Sequence, residues 1–157
     1  MDSVEFAKNV IKNNNFLSIA TSFNNQTWIA PVFFAVDEEY NFYFVSSMDS
    51  THVQHILQNK QVALSIFDSV QPEGDANGVQ IKGEAVKIPI FKYPEVLKLF
   101  WAKARKKVIT EDEIQQKINE YENNKRSIFQ IVPKEIYVQD QEYFKKYRID
   151  KRVRIDL

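Results

Sequence analysis

Between positions 16 and 88 the chain alternates short apolar runs with connections too brief for a parallel crossover. The runs at 16–22, 27–37, 42–45, 61–68 and 79–88 are rich in aromatic and β-branched residues, the composition of strands. The gaps hold an Asn24-Asn25 turn, an acidic turn at 37–40 and a loop at 69–78 with Pro72, Gly74, Asn77 and Gly78. Hairpins this short join antiparallel neighbours, whereas parallel neighbours need a dozen residues or more. Only the gap after position 45 differs, because it carries a short helix. The pattern predicts a mainly β chain with peripheral helices, folded as an antiparallel barrel or sandwich.

The run at 27–37 is apolar on both faces. Trp28, Ala30, Val32, Phe34 and Val36 point one way; Ile29, Pro31, Phe33 and Ala35 point the other. Such a strand is expected to be covered on both sides. Pro31 cannot donate a ladder bond, so a bulge or an open edge is expected there, where backbone meets a ligand or a second subunit. Gly83 interrupts the run at 79–88 and predicts a bulge or a close approach of another backbone.

The stretch 41–56, NFYFVSSMDSTHVQHI, begins as a strand and ends as a helix. Ser46, Ser47, Asp49, Ser50 and Thr51 lie between, all short and polar, the residue types that cap helices. A helix start rimmed by hydroxyls suits a phosphate, because its first N–H groups and the positive end of the dipole face the same point. An ordinary capped strand-to-helix connection reads the same way from local pattern alone.

The rest of the chain is helical, then returns to strand. Ser3 is positioned to cap a first helix with Val4, Ala7, Val10 and Ile11 on one face, and Asn13, Asn14 and Asn15 to end it in a left-handed conformation. Pro94 opens a helix striped by Val96, Leu97, Phe100, Trp101 and Ala104. Thr110 and Glu113 form a capping box for the next, with Ile114, Ile118 and Tyr121. These helices read as an insertion at about 92–124. Strands are expected at 127–132 and 136–140, broken by Pro133, and the tail KKYRIDKRVRIDL as an edge strand or a partner contact. With no repeat and no long linker, 1–157 reads as one domain.

Composition removes several functions. Formal net charge is +0, which gives no electrostatic case for nucleic acid. Residues 1–104 hold eight Lys, no Arg and eleven acids, so the basic surplus and every Arg lie in the remainder. Absence of Cys excludes disulfides and cysteine nucleophiles. No apolar run approaches the ~20 residues of a membrane span, and the start of the chain lacks a signal-peptide pattern; a soluble cytoplasmic protein is expected. His52 and His55 stand at i,i+3 without a third ligand at a telling spacing, so they read as exposed helix histidines rather than a metal pair. Trp28 and Trp101 read as core residues. No Walker loop or dinucleotide fingerprint is present.

The succession FLSIATS, TWIAPVFFAVDEEYNFYFVSS, STHVQHILQNKQVALSIFD and GVQIKGEAV resembles the FMN-binding split-barrel family, the pyridoxamine 5′-phosphate oxidase-like proteins. The similarity covers about 4–88, and SIFQIVPKEIYV is similar to the family's final strand. The resemblance implies a Greek-key antiparallel split β-barrel that forms a homodimer and holds FMN at the subunit interface. The positions that hold the FMN phosphate in the family match Ser46, Ser47, Ser50, Thr51 and His52. The family's usual Lys or Arg is His52 here, and its basic pair on the second strand is replaced by the uncharged residues 30–35. Vitamin B6 synthesis is therefore not expected. His52, with Gly78, Gln80 and Gly83 as a Gly-x-Gln-x-x-Gly pattern, resembles a small branch of the family.

The expected activity is that of an FMN-dependent oxidoreductase acting with a small-molecule substrate or electron donor, NADH and NADPH being candidates that the sequence does not choose between or require. Pro31, Val32 and Phe33 would meet the ring through their backbone, and Gln80 the ring or the second subunit. The flavin is itself the reactive group, so no catalytic side chain is assigned. A phosphate beside His52 is expected to favour its imidazolium. The alternative is a non-catalytic protein that binds flavin, haem or a phosphorylated ligand.

Overall fold

A computed structural model describes residues 2–74 and 78–157; Asn77 of the expected loop lies outside the described residues. The chain runs α1 (Ser3–Asn13), β1 (Phe16–Phe23), β2 (Gln26–Phe33), β3 (Ala35–Val36), β4 (Phe42–Ser47), α2 (Thr51–Gln58), β5 (Gln61–Phe67) and β6 (Gly78–Lys87). A 3-10 turn (Ile90–Lys92) leads to α3 (Tyr93–Arg105) and α4 (Glu111–Asn123). Then follow β7 (Arg126–Gln139), α5 (Gln141–Tyr147) and β8 (Arg152–Ile155). The strands form one antiparallel sheet in the order β2-β1-β5-β6-β7-β4-β3, with β8 on the far half of β7.

The two ends of that order are consecutive pieces of one extended segment. β2 pairs with β1 up to Phe33, and β3 pairs with β4 from Ala35. At Phe34 between them, the N–H leaves the ladder and donates to the Asn15 carbonyl. The segment thus passes from one edge of the sheet to the other and curls it into a split β-barrel. The expected single strand over 27–37 is two strands for this reason.

Two apolar clusters hold the barrel. The inner one packs Leu17, Ile19, Val32, Phe34, Phe42, Phe44, Ile81 and Phe129 under α1 and α2. The outer one packs Ala35, Tyr43 and Ile128 under α3 and α4, through Leu97, Phe100, Trp101 and Ile118. Coverage on both faces therefore holds for the Phe33–Val36 half of the segment. It fails for the other half in a single chain, where Trp28 is 50% and Ile29 65% exposed.

Local chemistry explains the element ends. Asn24 and Asn25 both take positive φ, which makes the β1–β2 hairpin. Thr110 and Glu113 form the expected capping box. α1 is capped by Asp2, whose carboxylate accepts from the Glu5 N–H, rather than by Ser3. Its end is extended at Asn14, not left-handed; the Asn14 amide instead donates to the Val10 carbonyl. Gly83 is at a register shift against β7, and a Cβ there would lie 2.8 Å from the Val132 carbonyl oxygen. Pro133 pairs with Gly83 at that irregularity, so its missing N–H leaves β7 continuous where a break was expected. The tail supplies the edge strand β8, with α5 before it.

Candidate functional site

The end of β4 and the start of α2 meet at one corner of the barrel. β4 alternates, so Phe44 enters the inner core while Val45 faces the helical layer. Ser46 and Ser47 follow, both half-buried, paired with Ser127 and Arg126 of β7. The chain turns through Met48 and Asp49 and enters α2 at Ser50. Ser50 is the N-cap residue, but its side chain makes no capping bond; its hydroxyl donates to the Ser47 carbonyl at 2.7 Å. The first N–H groups of α2 are thus left without the side-chain acceptor that a serine cap usually supplies. Thr51 is exposed beside them.

His52 is not a surface residue. It is buried against Phe44, and its Nε2 lies 2.7 Å from Ser46 Oγ and 3.4 Å from Ser50 Oγ. Burial pushes its pKa below the usual histidine value, so the neutral ring is favoured. This is opposite in direction to the imidazolium that a bound phosphate was expected to favour. His55 also turns inward, with Nδ1 3.0 Å from Thr21 Oγ1. The histidines are therefore structural partners of hydroxyls rather than an exposed pair. No group of three or more metal-ligating side chains occurs among the described residues.

Beside Val45 lies a pocket of about 230 Å³ lined by Phe33, Phe100, Trp101, Arg105, Lys117 and Tyr121. Trp101 is buried, as expected, yet its Nε1 has no hydrogen-bond acceptor. The Arg105 guanidinium stacks 4.5 Å from the Trp101 ring. Burial pushes the Tyr121 hydroxyl up to about 12, so it stays a neutral donor. Sequence reasoning missed Trp101, Arg105, Lys117 and Tyr121 as site residues. The available signal was an aromatic stripe on α3 and α4 interleaved with basic residues.

The other expected residues divide. Phe33 joins the pocket through Val45, Pro31 is exposed on the edge strand β2, and the Val32 side chain is committed to the inner core. Gln80 is exposed on the outer face of β6, where it pairs with Tyr137. Ser46 pairs with Ser127 on the same strand β7. Ten residues of strand, roughly 30 Å at the usual rise, separate these two positions. One protomer does not bring Gln80 to the hydroxyl cluster.

The family model for pyridoxamine 5′-phosphate oxidase matches residues 4–140. The chain belongs to the pyridoxamine 5′-phosphate oxidase family. No curated protein matches it in sequence. Among solved structures, General Stress Protein 26 from Bacillus anthracis is 17% identical, covers 99% of this chain and 100% of its own, and gives a TM-score of 0.62. A FAD-binding protein from Mesorhizobium loti is 15% identical, with 87% and 92% covered and a TM-score of 0.57. A heme binding protein from Mycobacterium smegmatis is 12% identical and gives a TM-score of 0.68; the match takes in 98% of this chain and 58% of that one. These likenesses establish the fold. In this pyridoxamine 5′-phosphate oxidase family member, hydroxyls and open helix N–H groups meet at the corner between β4 and α2, and the aromatic pocket on the outer face of β4 is lined by Val45, the residue before Ser46.

Proposed function

We propose that this chain is an FMN-dependent oxidoreductase that works as a homodimer in the cytoplasm. The observation that carries the reading is the start of α2, which lacks a side-chain cap and follows Ser46 and Ser47, while the Phe33–Trp101 pocket is lined by the preceding Val45. A terminal phosphate monoester would accept from the α2 N–H groups and the hydroxyls. The Trp101 indole N–H, buried without an acceptor, suits a carbonyl or ring nitrogen of a flat heteroaromatic group. Arg105 supplies a cation in place of the family's missing basic pair, and Lys117, paired with Glu120, lies beside it. Flavin bound there supplies the redox chemistry; the chain's part is to orient it, exclude water with Phe33 and Phe100, and hold its charge.

The outer face of the sheet supports the dimer. Ser18, Ala20, Ala63 and Ser65 form a flat small-residue patch there. Ile29, Phe16 and Phe67, each at least half exposed, border it on the same face. A second copy packed on this patch would cover Ile29 and Gln80, which both line it. No helix among the described residues is long and apolar enough to cross a membrane.

The test is spectroscopic. Purified protein mixed with FMN and passed through a desalting column should stay yellow, and NADH or NADPH should bleach it under anaerobic conditions. Retention of colour without bleaching by either donor would favour the second reading, flavin or haem binding without turnover. That reading draws support from the heme binding protein of the same fold and from His52 being tied to Ser46. Loss of all colour on the column would defeat flavin binding in either reading, and the same column run after mixing with haem decides the remainder of the second.

A further inference from the structure

α3 carries two functional faces. Trp101, Ala104 and Arg105 line the pocket beside β4; Leu99, Ala102, Lys103 and Ala104, with Lys106 just past the helix end, line a second, larger cleft. That cleft, about 840 Å³, opens between α1, the β3–β4 turn and α3. Its volume is that of a small-molecule site.

Four lysines line it: Lys8 and Lys12 from α1, Lys103 from α3 and Lys106 just past its end. Two acids, Asp37 and Glu38, line it as well, leaving two positive charges in excess. None of the four lysines forms a salt bridge with an acid among the described residues. Asp37 is committed elsewhere. Its oxygens accept from the Glu39 and Asn41 N–H groups, the Asn41 amide and the Tyr43 hydroxyl. Lys103 is the unusual member. Its Nζ is buried without a hydrogen-bond partner and sits 3.3 Å from the centre of the Phe34 ring. A buried ammonium ordinarily has an acceptor, because desolvation without one is costly.

We propose that the α1–β3–α3 cleft binds a small dianion, and that Lys103 leaves the Phe34 face to pair with it while Lys8, Lys12 and Lys106 hold the second charge. The Lys103 stem has four rotatable bonds, enough to swing the ammonium from the ring to the cleft that its side chain already lines. Burial depresses the Lys103 ammonium to about 8, so above neutral pH part of the chains lacks this proton. Pairing with an anion restores it, and binding takes up protons. Asp37, Glu38 and Tyr40 face the same space from the β3–β4 turn and Lys8, Lys12 and Lys106 from the helices.

Isothermal titration with sulfate and with malonate, both fully ionised at pH 8, tests the site and separates tetrahedral oxyanions from dicarboxylates. At least one is expected to bind, with proton uptake read from two buffers of different ionisation heat. Lys103→Met should weaken that binding about ten- to a hundredfold, the loss of one charge-assisted bond. Lys12→Met, on the exposed side of the cleft, should weaken it less. Protein saturated with FMN should bind the anion as free protein does. The proposal is overturned if neither anion binds at millimolar concentration, if Lys103→Met binds like the parent, if no proton is taken up, or if FMN displaces the anion. The measurement reads the cleft whether or not the chain retains flavin.

Discussion

Ser46 Oγ and His52 Nε2 lie 2.7 Å apart and tie the end of β4 to the first turn of α2. The contact sets the spacing between the half-buried hydroxyl and the open helix N–H groups. Burial holds the His52 pKa below its usual value, and the neutral ring is the form that fits.

The unfolded chain therefore binds more protons than the folded one just below pH 6.5. This part of the stability is fully present above that pH and is lost as pH falls toward the folded-state value. Urea midpoints measured from pH 8 to pH 5 should fall, and the fall should be smaller in His52→Gln. An identical acid loss in both proteins would remove His52 from the account.

Because the two side chains act as a pair, their effects on FMN affinity should not add. Ser46→Ala and His52→Ala are each expected to weaken binding by several-fold. The double variant should be weaker than either by much less than the product, a coupling of about 1 kcal/mol. Strictly additive losses would show that the two residues act separately.

Gly83 is legible in the sequence because it interrupts an otherwise regular strand, and the structure gives the reason at Val132. Gly83→Ala forces backbone apart and should cost about 1–3 kcal/mol. Thermal unfolding should show it as a drop of several degrees; an unchanged melting temperature would contradict the close approach.

What could be read from the sequence was local or periodic. The Thr110–Glu113 box and the Asn24-Asn25 hairpin lie within four residues of chain, and their chemistry decides them. Where two adjacent residues are both able to cap, as Asp2 and Ser3 are, sequence does not rank them; the Glu5 N–H chose the carboxylate. The inward turn of His52 was legible in principle, because it falls on the Val53 and Ile56 stripe of α2. Closure through Phe34 was not, since it depends on pairing with β1 on one side and β4 on the other. The Lys103 burial was equally hidden. It arises only when α3 lies across the aromatic ring of a residue distant in sequence.

The patch that supports a dimer centres on Ala20, which pairs with Ile29 on one side and Ala63 on the other. Ala20→Arg places a long charged side chain in the middle of it. Sedimentation should show a dimer for the parent and a monomer for the variant, with FMN affinity reduced at least tenfold. A parent that sediments as a monomer at micromolar concentration would remove the shared site.

The central claim is that the β4–α2 corner holds a flavin by its phosphate. Titration of the protein with FMN and with riboflavin, which share the ring and differ in the phosphate, measures that contribution directly. One to two charge-assisted hydrogen bonds predict FMN binding at least tenfold tighter than riboflavin. Equal affinities would contradict the account, because the hydroxyls and the open start of α2 would then contribute nothing.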